Sequence, residues 1–332
     1  MKIDFSTRID IPATDISIDH TTGVMLFGSC FSENIGLKLM RYKFQVDVNP
    51  FGILYNPFSI SSAIRRILSA DSFSASELIY HHELYHSLMH HGHFSAVDQQ
   101  NCLHNISHRF ENAVATIQQT DLFLVTFGSA YVYQLKESGE IVGNCHKLPA
   151  DRFDRFRLSV EQIVEEWSEV ISLLATLNPA AKLLFTVSPV RHWKEGAHEN
   201  QLSKATLHLA IDALQKKYGR HVGYFPAYEV MMDELRDYRF YEEDMVHPSS
   251  LAIDHIWDFF SETYFSEETR RINKEWTPIM RALDHRPLHP ETDAYRHFLA
   301  GTAQMLETFA VRHPEISCEE EKEILLKINN KR

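Results

Sequence analysis

The sequence predicts an α/β chain: helical layers on both faces of a mostly parallel sheet, followed by a C-terminal helical appendage. Three observations point there. Short apolar runs alternate with amphipathic stretches, the pattern of βαβ units. Several of those runs are apolar at nearly every position, as in strands covered on both faces. Beyond about Ser266 the chain turns charged and helical, and is punctuated by Pro278, Pro287, Pro290 and Pro314.

Taken in order, the core strands are Val24–Phe27, Phe44–Val48, Leu122–Phe127, Lys182–Val187 and His221–Phe225. A helix over Ser32–Arg41 follows the first strand. A second, Pro57–Leu68, opens with proline, whose fixed φ suits a first helical turn. Ile106–Gln119 reads as a helix before the third strand. Leu158–Leu177 and Glu199–Tyr218 carry apolar residues at i, i+3, i+4 spacing. After the third strand, Tyr131–Gln134 and Ile141–Gly143 flank Glu137-Ser138-Gly139 and read as a small hairpin over the sheet edge. After the fifth strand, a short helix and a loop lead to a helix over Ser250–Phe265. The expected division is an α/β domain over residues 1–265 and a helical extension over 266–332.

The composition excludes several classes. With 332 residues, 44% of them hydrophobic and 23% charged, the chain can bury a large core unaided. Gly and Pro number 12 each, too few for a collagenous or low-complexity chain. The formal net charge of −12, without a basic patch, argues against nucleic acid as a partner. No apolar run is long enough to span a bilayer, and Met1–Ser6 has no basic start leading into an apolar stretch. Cys30, Cys102, Cys145 and Cys318 are scattered and form no C-x-x-C pair, so neither a disulfide framework nor a zinc ribbon is expected. The expectation is a reduced, cytoplasmic protein that needs no cofactor. No membrane is expected as a partner, and its oligomeric state is left open.

Two segments carry candidate chemistry. Gly28-Ser29-Cys30-Phe31-Ser32 lies between the first strand and its helix. A thiol there would sit at the carboxyl edge of the sheet, where open α/β folds bind ligands. The helix start offers amide donors and a positive dipole end, both of which favour a thiolate and an oxyanion. The competing structural role is a small-residue turn around a buried, inert cysteine. Asp244-Met245-Val246-His247-Pro248 comes late in the α/β region. Asp and His three residues apart can share one side of a turn, with His247 as base and Asp244 orienting it. The competing role there is a capping Asp beside an exposed His.

These residues resemble the GSCFA domain family, with Ser32 where the family name has Ala. Asn49-Pro50-Phe51-Gly52-Ile53, Asn144-Cys145-His146-Lys147, Ser188-Pro189-Val190-Arg191-His192, Asn200–Lys204 and Arg236–Pro248 resemble it too, so the likeness runs over roughly residues 20–260. It implies a flavodoxin-like, SGNH-hydrolase-like sandwich acting on ester or thioester bonds, with a small acylated substrate as its partner. Matched to the SGNH pattern, Cys30 falls on the nucleophilic Ser, and Asp244 and His247 fall on its D-x-x-H. Cysteine in place of serine makes thioesters and acyl transfer as plausible as oxygen esters. Ser29 is the fallback nucleophile. The oxyanion-hole Gly and Asn have no direct match, and Gly52 and Asn144 are the substitutes. Arg191 and His192, after the fourth strand, would line the substrate site, where Arg191 can pair with a carboxylate or phosphate. Lys204 and Asn200 read as cap and lining residues.

A third segment points elsewhere. His82-Glu83-Leu84-Tyr85-His86 is a formal H-E-x-x-H, which on a helix would offer two His to zinc and a Glu as general base. No third-ligand continuation follows, and His are dense here, so the match is weak. A metal-dependent hydrolase and a non-catalytic binding module on the same fold stand as alternatives.

Overall fold

The computed structural model describes residues 7–11 and 14–330. The Met1–Ser6 stretch read above lies outside the described residues.

Five strands form the central parallel sheet: β1 (Val24–Gly28), β2 (Val46–Val48), β5 (Leu122–Phe127), β9 (Lys182–Val187) and β10 (Val222–Phe225). Their order, β10-β9-β5-β1-β2, is that of a flavodoxin-like doubly wound sheet. The order of strand addition reverses between β1 and β5, and the ends of those two strands mark the switch point where such sheets bind ligands.

Strand alternation splits the core in two. Met25, Phe27, Phe123, Val125, Phe127, Phe185 and Val187 face one side. They pack under α2 (Pro57–Ser69), α3 (Gln99–Ile117), α4 (Val160–Leu177) and α5 (Ala197–Tyr218). Val24, Leu26, Leu122, Leu124 and Leu184 face the other side, under α1 (Cys30–Arg41) and α7 (Ser250–Tyr264). The short helix α6 (Ala227–Glu229) follows β10. The result is the expected three-layer α/β sandwich.

The C-terminal helices α8 (Glu267–Leu283), α9 (Asp293–Arg312) and α10 (Glu319–Asn330) have their own apolar cluster around Trp276, Leu306 and Phe309. Pro278 does not break the chain there; it lies inside α8. Burial of Ile272, Trp276 and Ile279 along one face carries the helix through the missing amide. The appendage grips the far end of α1: Trp276 Nε1 donates to Arg41 O at 2.7 Å, and Lys43 pairs with Glu321 at 2.9 Å. Among the described residues no helix is long and apolar enough to cross a membrane.

Two antiparallel pieces differ from expectation. The hairpin after β5 has three strands, β6 (Tyr131–Leu135), β7 (Ile141–Val142) and β8 (Phe153–Arg157). The H-E-x-x-H segment is not helical. It forms the hairpin of β3 (Leu78–His81) and β4 (Leu84–Ser87), with His82 and Glu83 as a two-residue turn at φ 47° and 62°. His86 uses both ring nitrogens, Nε2 on His81 O at 3.0 Å and Nδ1 on Ser95 Oγ at 2.6 Å. The helical face that the H-E-x-x-H arrangement uses is therefore absent, and with it the ground for the alternative metal reading of His82, Glu83 and His86.

Candidate active site

β1 ends on Gly28 at φ 143°, and a Cβ there would meet Thr126 O at 2.4 Å, so only glycine fits this crossing between neighbouring strands. The next two residues start α1. Ser29 caps it: its Oγ accepts from Phe31 N at 3.3 Å and donates to Ser188 Oγ, beyond β9, at 3.1 Å. Ser29 is 1% exposed and its proton is already committed. The fallback nucleophile is thus built as a cap and a cross-strand tie.

Cys30 is the first helical residue and is partly exposed. Burial pushes its thiol pKa up; the amides of Phe31 and Cys30 and the charge of Lys204 pull it down, and Glu33 pushes it up again. The net shift is upward, opposite to the sequence expectation. The helix start does favour the thiolate, but desolvation of the charged form outweighs it.

The loop from Asn49 to Asn56 straps the strand ends together. Asn49 Oδ1 accepts from Gly28 N at 2.9 Å, Leu54 N donates to Gly28 O at 3.0 Å, and Tyr55 O accepts from Gly128 N at 2.8 Å. Gly52 sits in this strap at φ 75°, and a Cβ would meet His91 Cβ at 2.4 Å. Its amide donates to Asn49 O at 2.7 Å. Gly52 is therefore a packed turn glycine whose N–H is already used, rather than the oxyanion donor expected of it. Asn144 uses Oδ1 to accept from His146 N at 2.9 Å, forming the turn after β7.

Asp244 and His247 form a complete pair. Asp244 Oδ2 accepts from His247 Nδ1 at 2.6 Å, while Oδ1 accepts the amides of Val246 and His247 at 2.9 Å each. Met245, at φ 59°, turns the chain back so that the carboxylate meets the ring. The amide of His247, followed by its ring and the amide of Val246, holds the Asp244 pKa down at about 2. With Nδ1–H given to Asp244, Nε2 is the nitrogen left to take up a proton. No hydrogen bond joins Cys30 to His247 among the described residues.

Arg191 lines a pocket with Asp244, and His192 is within electrostatic reach of His247. The His192 amide donates to Asn200 Oδ1 at 2.9 Å, and its ring meets Tyr55 edge-on at 5.4 Å. His192 Nε2 is buried without a partner, and would be 3.3 Å from a Cβ on Gly128. Burial, then the charges of Lys204, His247 and Arg155, lower its pKa to about 4, so the ring is neutral at pH 7.

Lys204, read from sequence as a lining residue, is 2% exposed. Its Nζ donates to Gly128 O and Ser188 O at 2.7 Å each, bridging the carbonyl groups just beyond β5 and β9. No carboxylate pairs with it among the described residues. Burial, reinforced by Arg191 and opposed by Cys30, brings its pKa down to about 7. A buried lysine held by two carbonyls and the face of Tyr228, within electrostatic reach of a candidate thiol, is the main feature that sequence reasoning missed. Its one sequence signal is its position in the first turns of the helix after β9.

The GSCFA family model matches residues 23–260, and that of the C-terminal domain of GSCFA domain proteins matches residues 276–330. No curated protein matches the chain. Among solved structures it is similar to an acetyl xylan esterase (Est2A) from the rumen bacterium Butyrivibrio proteoclasticus. The two share 11% identity and a TM-score of 0.36, over 76% of this chain and 66% of that one. The first family match alone spans well over half of the sequence and contains every residue of the site just described, and so the chain belongs to the GSCFA family.

Proposed function

We propose that this protein cleaves or transfers acyl groups from ester or thioester bonds through an acyl-cysteine enzyme. The preformed Asp244–His247 pair carries the reading: it leaves Nε2 as a base near the sheet edge that presents Cys30 at a helix start. In the reaction His247 Nε2 takes the Cys30 proton and the sulfur attacks the acyl carbon. The bond to the leaving oxygen or sulfur breaks, and that atom takes the proton from His247. Asp244 holds the ring and stabilises its cation. Water, or another acceptor, then gives its proton to His247 as its oxygen or other nucleophilic atom attacks the acyl carbon; the bond to the Cys30 sulfur breaks, and the thiolate takes the proton back from His247. The Cys30 amide at the start of α1 is the oxyanion donor, together with His192 Nε2 in the tautomer protonated there. Lys204 stands behind the thiol as a second source of positive charge.

Intact-protein mass spectrometry with a panel of activated acyl esters and thioesters tests this. One acyl group should add to Cys30, and Cys30→Ala should abolish the adduct. Asp244→Asn and His247→Ala should each slow acylation by about 10²-fold or more. If no adduct forms with any donor and turnover persists in Cys30→Ala, the acyl-enzyme reading is wrong. If neither adduct nor turnover is found, the protein is a binding module on this fold.

A further inference from the structure

Beside the Asp244–His247 pair lies an open pocket lined by Arg191, Trp193, Arg236, Tyr238, Tyr241 and Met245, with Asp237 and Asp244 in its wall. Its charges are satisfied locally, with one exception. Asp244 holds His247, Arg236 pairs with Asp233 at 3.1 Å, and Asp237 pairs with Arg239 at 2.7 Å. Arg191 has no acidic partner among the described residues. Its guanidinium lies 4.6 Å from the centre of the Trp193 ring, and its Nε is buried without an acceptor. A guanidinium stacked on an indole keeps its in-plane N–H groups available for an acceptor. A buried donor left unmet calls for one.

The surroundings fit the same ligand. Trp193, Tyr238 and Met245 are exposed around the mouth and offer apolar contact to the body of a substrate. The chain as a whole carries −12, so distant charge does not draw anions in; only a local cation can hold one. Lys204 is within electrostatic reach of Arg191 and has no carboxylate partner among the described residues.

We propose that the acyl substrate carries an anionic group, carboxylate or phosphate, and that Arg191 is its counter-ion in this pocket. Placing that anion on an acyl donor rests on the function proposed above; anion binding itself does not. Arg191 would fix the substrate by a two-pronged contact to the anion while the reacting carbonyl reaches Cys30.

The test uses two alkylating agents of similar size. Iodoacetate carries a carboxylate and iodoacetamide does not. Labelling of Cys30 should favour iodoacetate over iodoacetamide at least tenfold more than a free thiol such as N-acetylcysteine does. Arg191→Met should remove that preference while leaving the iodoacetamide rate within about twofold; Arg191→Gln serves if the Met variant does not fold. An unchanged preference in the folded variant overturns the proposal. A second measurement does not depend on the thiol. In Cys30→Ser, succinate and inorganic phosphate are titrated against thermal stability, with acetamide as the neutral control. A shift given by succinate alone assigns a carboxylate, and one given by phosphate alone assigns a phosphate. Either shift should vanish in Arg191→Met. Absence of any shift at millimolar anion overturns the pocket, even if Cys30 acylates. A shift with no acylation anywhere leaves the pocket standing and removes the acyl-enzyme reading.

Discussion

At the scale of single residues, charge and burial are arranged against each other around Cys30. The thiol is raised by burial and Lys204 is lowered by burial, yet each favours the charged form of the other. Lys204→Met removes the cation and leaves the desolvation. The midpoint of the pH profile for Cys30 alkylation should therefore rise, and the rate at pH 7 should fall. A merely structural Lys204 would change the melting temperature and leave that midpoint alone. Cys102 and Cys318 are buried, with thiols raised chiefly by desolvation, and should label later than Cys30. The burial of Lys204 was not legible in the sequence, because a lysine early in a helix gives the same signal whether it faces solvent or strand ends. Asp244 and His247 were legible because both partners of the contact lie within one turn.

At the scale of elements, what the sequence revealed depended on the type of signal. The core strands showed themselves because buried strands are apolar throughout: four of the five have both bounds within a residue of where they were read, and β2 starts two residues later. The β3–β4 hairpin did not. Its turn is His82-Glu83, which lacks the Asn or Gly that left-handed turn residues normally supply, and its histidines fall at helical spacing by coincidence. β8 was missed because Phe153-Asp154-Arg155-Phe156-Arg157 is too charged to resemble a strand. Two outcomes follow from these elements. Replacing His82→Asn together with Glu83→Gly should stabilise the fold by about 1 kcal/mol in chemical denaturation, since both positions are left-handed. Acyl turnover should be unchanged, whereas a zinc site built on these residues would lose it. At the end of β1, Gly28→Ala must push aside the backbone of Thr126 and should cost at least ~2 kcal/mol.

At the scale of the molecule, four histidines are held neutral in the folded state, chiefly by burial. His90 is lowered to about 3, and His146, His192 and His208 to about 4. In the unfolded chain each takes up its proton near pH 6.5. Between pH 6.5 and 4 the unfolded state therefore binds more protons than the folded one, and stability falls as the pH falls through that window. Calorimetry should show the melting temperature dropping by roughly 10 °C from pH 6.5 to 4.5, before carboxylate titration contributes much. A flat profile over this range would show that these rings are charged in the native protein.

The loop that carries Asp244 and His247 has a mechanical property of its own. All three contacts from the carboxylate close within four residues, and the loop is pinned by Glu242 N to His247 O at 2.8 Å and Ser249 N to Phe240 O at 2.8 Å. The pair is thus a self-contained cartridge. Displacing the whole loop by an ångström or two would carry base and orienter together and leave their mutual geometry intact, changing only the reach to Cys30. In the proposed reaction, proton-accepting power and distance to the thiol are therefore independent settings.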